Sequence, residues 1–79
     1  MITSGQIRAA RALLKWTGKK LADASGVAFS TLMRLEMGEG VPGAQAKTLD
    51  SIQKAFEEAG VEFIGNPEEG AGVRWKLKP

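Results

Sequence analysis

The side chains that can do chemistry in this sequence are amines, guanidinium groups, carboxylates, hydroxyls and amides, because cysteine, histidine and tyrosine are all absent. Their absence removes thiol nucleophiles, imidazole bases, disulfides and the usual zinc ligands together. An enzyme would have to run on Asp, Glu, Lys, Ser and Thr alone, and no catalytic activity, cofactor or metal is expected. What remains is the chemistry of charge and hydrogen bonding. Lys19 and Lys20 follow Thr17, a residue type that caps helix N-termini, and so fall in the first turn of a helix, where positive charge opposes the helix dipole. Free backbone N–H groups and two ammonium groups at such a helix end make a site for phosphate, which fixes register without reading sequence. Solubility is the alternative role for the two lysines. The basic excess lies in the first half: residues 1–40 hold six bases against three acids, and residues 41–79 five against six. Charge asymmetry of this size also describes an ordinary solvated face, and it points to nucleic acid only beside a motif.

The elements that would carry these groups can be read from caps and periodicity. Thr3 and Gln6 form a capping box, with Ile2 and Ile7 as a hydrophobic staple, and start a helix over 4–15 with Ile7, Ala10, Leu13 and Leu14 inward. Arg8, Lys15 and Arg11 reach outward or across the domain. Thr17 caps a second helix over 18–24, with Trp16 placed to pack on Leu21 and Gly26 available for a left-handed end. A third helix spans 29–37 with Leu32 and Leu35 inward, and Gly38 and Gly40 stop it. After the breaker cluster Gly40-Val41-Pro42-Gly43, a fourth covers 44–59 with Leu49, Ile52, Phe56 and Ala59 on one face, and Gly60 closes it. Val61–Ile64 and Val73–Leu77 then alternate at period two around an eight-residue loop, which predicts a β-hairpin. Val61, Phe63, Val73, Trp75 and Leu77 share one face of it, with Glu62 opposite Arg74 or Lys76 on the other.

A chain of 79 residues, 43% of them hydrophobic and 25% charged, predicts a single globular domain. Residues 1–60 form its helical part, and 61–79 a hairpin within the same compact unit. A core of this size is marginal, which makes a second subunit a natural source of burial. No apolar run reaches membrane-spanning length and no secretory signal is visible, so a cytoplasmic protein without membrane contact is expected.

Two short helices joined by a three- or four-residue turn containing glycine meet the geometry of a helix-turn-helix over residues 18–37, with Ala22, Gly26, Val27, Leu32 and Leu35 as its scaffold. Here the sequence resembles the Cro/phage-repressor class of helix-turn-helix proteins, the xenobiotic-response-element (XRE) family. The matching residues are Gln6–Leu14, Trp16-Thr17, Leu21-Ala22, Ser25-Gly26-Val27, Ser30-Thr31-Leu32, Arg34-Leu35-Glu36 and Gly38-Glu39, and the resemblance covers residues 2–60. It looks closest to compact bacterial and phage regulators ending in a Gly-Val-Glu-Phe-Ile strand. It implies an all-helical core of four or five helices whose third helix enters the major groove; with the hairpin read from alternation, the expected fold is mainly α, a four- to five-helix repressor-like domain with a C-terminal β-hairpin.

Carried over by position, the resemblance places Phe29, Ser30, Met33 and Arg34 in the outward slots of the recognition helix. Arg34 suits the O6/N7 pair of guanine, or a phosphate; Ser30 suits either; Phe29 and Met33 touch a thymine methyl or pack on the next helix. Arg11 and Glu36 match an ion pair between helix 1 and the end of helix 3. Two positions depart from the family. Gly18 stands where glutamine commonly bonds a phosphate, and Ala28 where Ser or Thr usually caps helix 3; each departure loses about 1 kcal/mol. The expected function is sequence-specific regulation of transcription, repressor-like, by a homodimer on a pseudo-palindromic site in double-stranded DNA. Phe56, Phe63, Val73 and Trp75 are the expected dimer interface, since their apolar area exceeds what a two-stranded ribbon buries alone. The alternative is a protein-interaction module on the same fold, such as an antitoxin or phage accessory protein with a protein partner.

Overall fold

A computed structural model describes residues 1–76, so the strand position expected for Leu77 lies outside the described residues. The order is α1 (Ser4–Leu14), α2 (Gly18–Ser25), α3 (Phe29–Glu36), α4 (Ala46–Glu58), β1 (Val61–Ile64) and β2 (Gly72–Trp75). The fold is mainly α, and among the described residues it has four helices and no fifth.

Both N-terminal caps form as their residue types dictate. The Thr3 hydroxyl accepts from the Gln6 amide at 3.0 Å while Gln6 Oε1 accepts from the Thr3 amide at 2.9 Å. Ile2 and Ile7 are buried below the box. Thr17 accepts from the Lys20 amide at 3.0 Å. Lys15 (φ 57°) and Gly26 (φ 75°) end α1 and α2 in left-handed conformation, and at Gly26 the lack of a Cβ makes that turn cheap. The α2–α3 connection is then three residues, Gly26-Val27-Ala28. Several boundaries differ from the sequence reading: α1 ends at Leu14 rather than 15, α2 runs to Ser25 rather than 24, α4 ends at Glu58 rather than 59, and β2 begins at Gly72 rather than Val73. Met37 is extended (ψ 137°), so α3 stops at Glu36, and Gln45 is extended (ψ 145°), so α4 begins at Ala46 rather than at 44.

The core gathers Ile7 and Ala10 of α1, Leu21 of α2, Leu32 and Leu35 of α3, Leu49, Ile52 and Phe56 of α4, and Val61 of β1. The hairpin pairs Val61 with Trp75, Glu62 with Arg74, Phe63 with Val73 and Ile64 with Gly72, which shortens its loop by one residue to 65–71. Glu62 accepts from Arg74 Nη2 at 3.0 Å, and this bond holds its carboxyl below the usual carboxylate range. The hairpin is fastened to α1 by Gln6, whose Nε2 donates to the carbonyls of Gly72 at 2.9 Å and Ile64 at 3.3 Å.

Of the four residues expected at a dimer interface, Phe56 is fully buried in its own protomer, stacked on Trp16 at 5.7 Å and tilted against Phe63 at 6.0 Å. Phe56 therefore offers no surface to a partner. Phe63 and Val73 pack partly on the same core, and only Trp75 remains half exposed. The expected surplus of apolar area is smaller because α4 and β1 cover each other. No helix among the described residues is long and apolar enough to cross a membrane.

Ala28 sits at the N-cap of α3 in extended conformation without a side-chain cap. Ala28→Ser is expected to stabilise the protein by about 1 kcal/mol. Calorimetry should record a Tm rise of about 4–8 °C for a domain of this size, and no rise would mean that the α3 end is satisfied without a cap.

Candidate nucleic-acid interface

The candidate face is built on α3. At ~100° per residue, Leu32, Leu35 and Glu36 turn inward, Ser30 and Arg34 point directly away from the core, and Phe29 and Met33 form the flank between the two faces. Ser30 and Arg34 are exposed. Among the described residues the Arg34 guanidinium hydrogen-bonds only the Gly43 carbonyl, at 3.5 Å, which is too long to be a strong bond, and its other donors have no partner there.

The flanking residues meet α2 at Gly18. A Cβ on Gly18 would lie 2.6 Å from Met33 Cε and 2.9 Å from Phe29 Cε1. Both side chains rest on the bare first turn of α2, Met33 partly buried against the core and Phe29 51% exposed. Of the two roles left open for this pair, packing on the neighbouring helix holds for Met33, and Phe29 combines packing with an open ring face. The absent side chain at Gly18 is space already taken by α3.

Lys19 and Lys20 follow Gly18 in the first turn of α2. Lys19 and Lys20 are exposed, and neither makes an ion pair among the described residues, where only Arg11–Glu36, Lys54–Asp50 and Arg74–Glu62 do. Lys20 Nζ lies 5.8 Å from the centre of the Trp16 ring, a weak cation–π contact that steers it without neutralising it. Thr17 occupies the Lys20 amide, while the amides of Gly18 and Lys19 have no partner among the described residues. Gly18 is buried beneath Phe29 and Met33, so the exposed groups of this first turn are the Lys19 amide and the two ammonium groups, a set that suits an anion.

α1 determines where α3 points. Arg11 grips the Glu36 carboxylate with two bonds of 2.8 Å, and its Nη1 donates to the Trp16 carbonyl at 3.0 Å. The Glu36 side chain is 7% exposed and that of Arg11 26%. The hydrogen bond to Glu36 raises the Arg11 pKa above its ordinary value. The expected ion pair is present and far from the outward face. Two further contacts have acceptors that the sequence does not name: Arg8, expected to reach outward or across the domain, donates to the carbonyls of Glu36 and of Gly38, the latter at 2.9 Å, and Ser4 Oγ donates to the Leu35 carbonyl at 2.6 Å. Their acceptors are backbone atoms, which leave no trace in residue type. Among the described residues no cluster of His, Cys, Asp and Glu could hold a metal ion.

Replacing Glu36 by Gln keeps the shape and removes the charge opposite Arg11. The expected loss is about 2 kcal/mol, between the values for exposed and fully buried pairs. It should show as a lower urea midpoint at unchanged slope, and an unchanged midpoint would mean that the pair contributes nothing net. A scan of the chain against protein-family models finds no match, and a search of curated proteins finds none.

Proposed function

We propose that the chain is a DNA-binding transcriptional regulator of helix-turn-helix type, repressor-like, whose α3 enters the major groove of duplex DNA. The observation that carries this reading is the unpaired donor set around the meeting of α2 and α3: Lys19 with its amide and Lys20 on one side, Ser30 and Arg34 on the other. The lysines and the Lys19 amide take phosphates and fix register, while Arg34 and Ser30 face the base edges. The resemblance to the XRE family supports the same docking. A cytoplasmic homodimer belongs to the proposal, with two copies of α3 about 34 Å apart in successive major grooves. Half-exposed Trp75 and a hairpin paired on one edge of each strand favour the C-terminal ribbon as its contact.

Exposed Phe29 and Met37, at 51% and 76%, favour a second reading, a protein-interaction module on this scaffold. Selection of bound sequences from random duplex DNA separates the two. Enrichment of a pseudo-palindrome is expected, and failure of the folded protein to enrich any sequence would overturn DNA reading in favour of the module. On the enriched duplex, Arg34→Ala should lose about 1–3 kcal/mol at particular base pairs. Lys19→Ala and Lys20→Ala should weaken all sequences and lower the salt slope by about one each, measured by fluorescence anisotropy across a salt series.

A further inference from the structure

We propose that Gly18 is a specificity-determining residue that sets Phe29 as a reader of the thymine 5-methyl group; this rests on the DNA-binding reading above. The conformation of Gly18 does not call for glycine, since it is the first residue of α2 and its φ is not in the left-handed region. Neither the turn nor the helix start requires glycine there, and the packing around it supplies a reason. That reason is space. The volume that a Cβ would take is filled by the thioether of Met33 and the ring edge of Phe29. Met33 can swing its terminal methyl aside, but the Phe29 ring can only turn as a body, so any side chain at position 18 re-aims the ring.

Phe29 opens α3, and the N-terminal residues of a recognition helix are those that reach base edges. Its ring is anchored along one edge by Gly18 and remains half exposed. In the major groove the base edges present hydrogen-bond donors and acceptors and one apolar group, the 5-methyl of thymine. A phenyl ring held in that groove desolvates polar base atoms everywhere except against this methyl. Gly18 is therefore a positioning residue and Phe29 the contacting one, beside the polar readers Ser30 and Arg34.

The test uses the duplex enriched from random DNA by the full chain, resynthesised with each thymine replaced in turn by uracil, which removes only the methyl. One thymine per half-site is expected to lose affinity roughly fourfold on this change. Phe29→Ala should bring that thymine-to-uracil ratio to about one. Gly18→Ala should lower the same ratio while the salt slope stays unchanged, a readout that a purely structural role would not move. A bound duplex indifferent to uracil at every position overturns the proposal and leaves DNA binding standing, as does a ratio that survives Phe29→Ala. A ratio lost in Phe29→Ala but kept in folded Gly18→Ala overturns the positioning role of Gly18. If no duplex is enriched, the DNA-binding reading fails and this inference falls with it.

Discussion

The end of α3 is the constraint on which the rest of the molecule depends. An eight-residue helix is unstable alone, and its last carbonyls have no partner within it. Here they are answered from outside: the Arg34 carbonyl by the Met37 amide, that of Leu35 by Ser4, and that of Glu36 by Arg8. Arg11 adds its two bonds to the Glu36 side chain, and the Ser4 amide reaches past the helix to the Gly40 carbonyl. Three side chains of α1, at 4, 8 and 11, lie on one stripe of that helix and hold one end of another. The direction of α3 is therefore set by α1, and its opposite end, where Ala28 provides no cap, rests on Gly18 through Phe29 and Met33.

A second chain of contacts closes the far side. Trp16 stacks on Phe56 and Phe56 meets Phe63 at a tilt, a chain of rings from the α1–α2 turn through α4 to the hairpin. Gln6 ties the hairpin to the first turn of α1 with the amide group that also completes the capping box. A glutamate at this position would complete the box equally well, but it would present a carboxylate to two carbonyls. Glutamine is the residue that can accept at one end and donate at the other.

Local chemistry was legible in the sequence, and long-range partnership only in part. The caps at Thr3 and Thr17, the left-handed end at Gly26 and most inward positions of the helices follow from residue types a few positions apart; on α4, Ala55 is buried and the expected Ala59 is only half-buried at the C-cap. Alternation left Glu62 opposite Arg74 or Lys76, and the register of the pair selects Arg74. The acceptors of Ser4 and Arg8 escaped because a backbone carbonyl can belong to any residue. Phe56 was correctly turned inward by periodicity, but periodicity cannot say whether the covering surface is the same chain or another. Gly18 read as a lost phosphate contact because the Cβ-sized space it leaves is occupied from eleven and fifteen residues away, a relation that spacing along one helix does not contain.

The electrostatics of the face follow from the same packing. With a net charge of only +2, the approach to DNA proposed above would depend on which charges are left uncancelled. Arg11 cancels Glu36, the acid on the inner side of α3, and Arg8 spends its donors on carbonyls. Lys19, Lys20 and Arg34 are left without acidic partners among the described residues, whereas Asp50 and Glu62 are paired within α4 and the hairpin. Within a Debye length of about 8 Å at physiological salt, an approaching surface senses these nearest charges rather than the whole molecule. The ion pair that orients α3 thus also removes the one carboxylate of α3 that would repel phosphate, so scaffold and surface charge depend on a single contact.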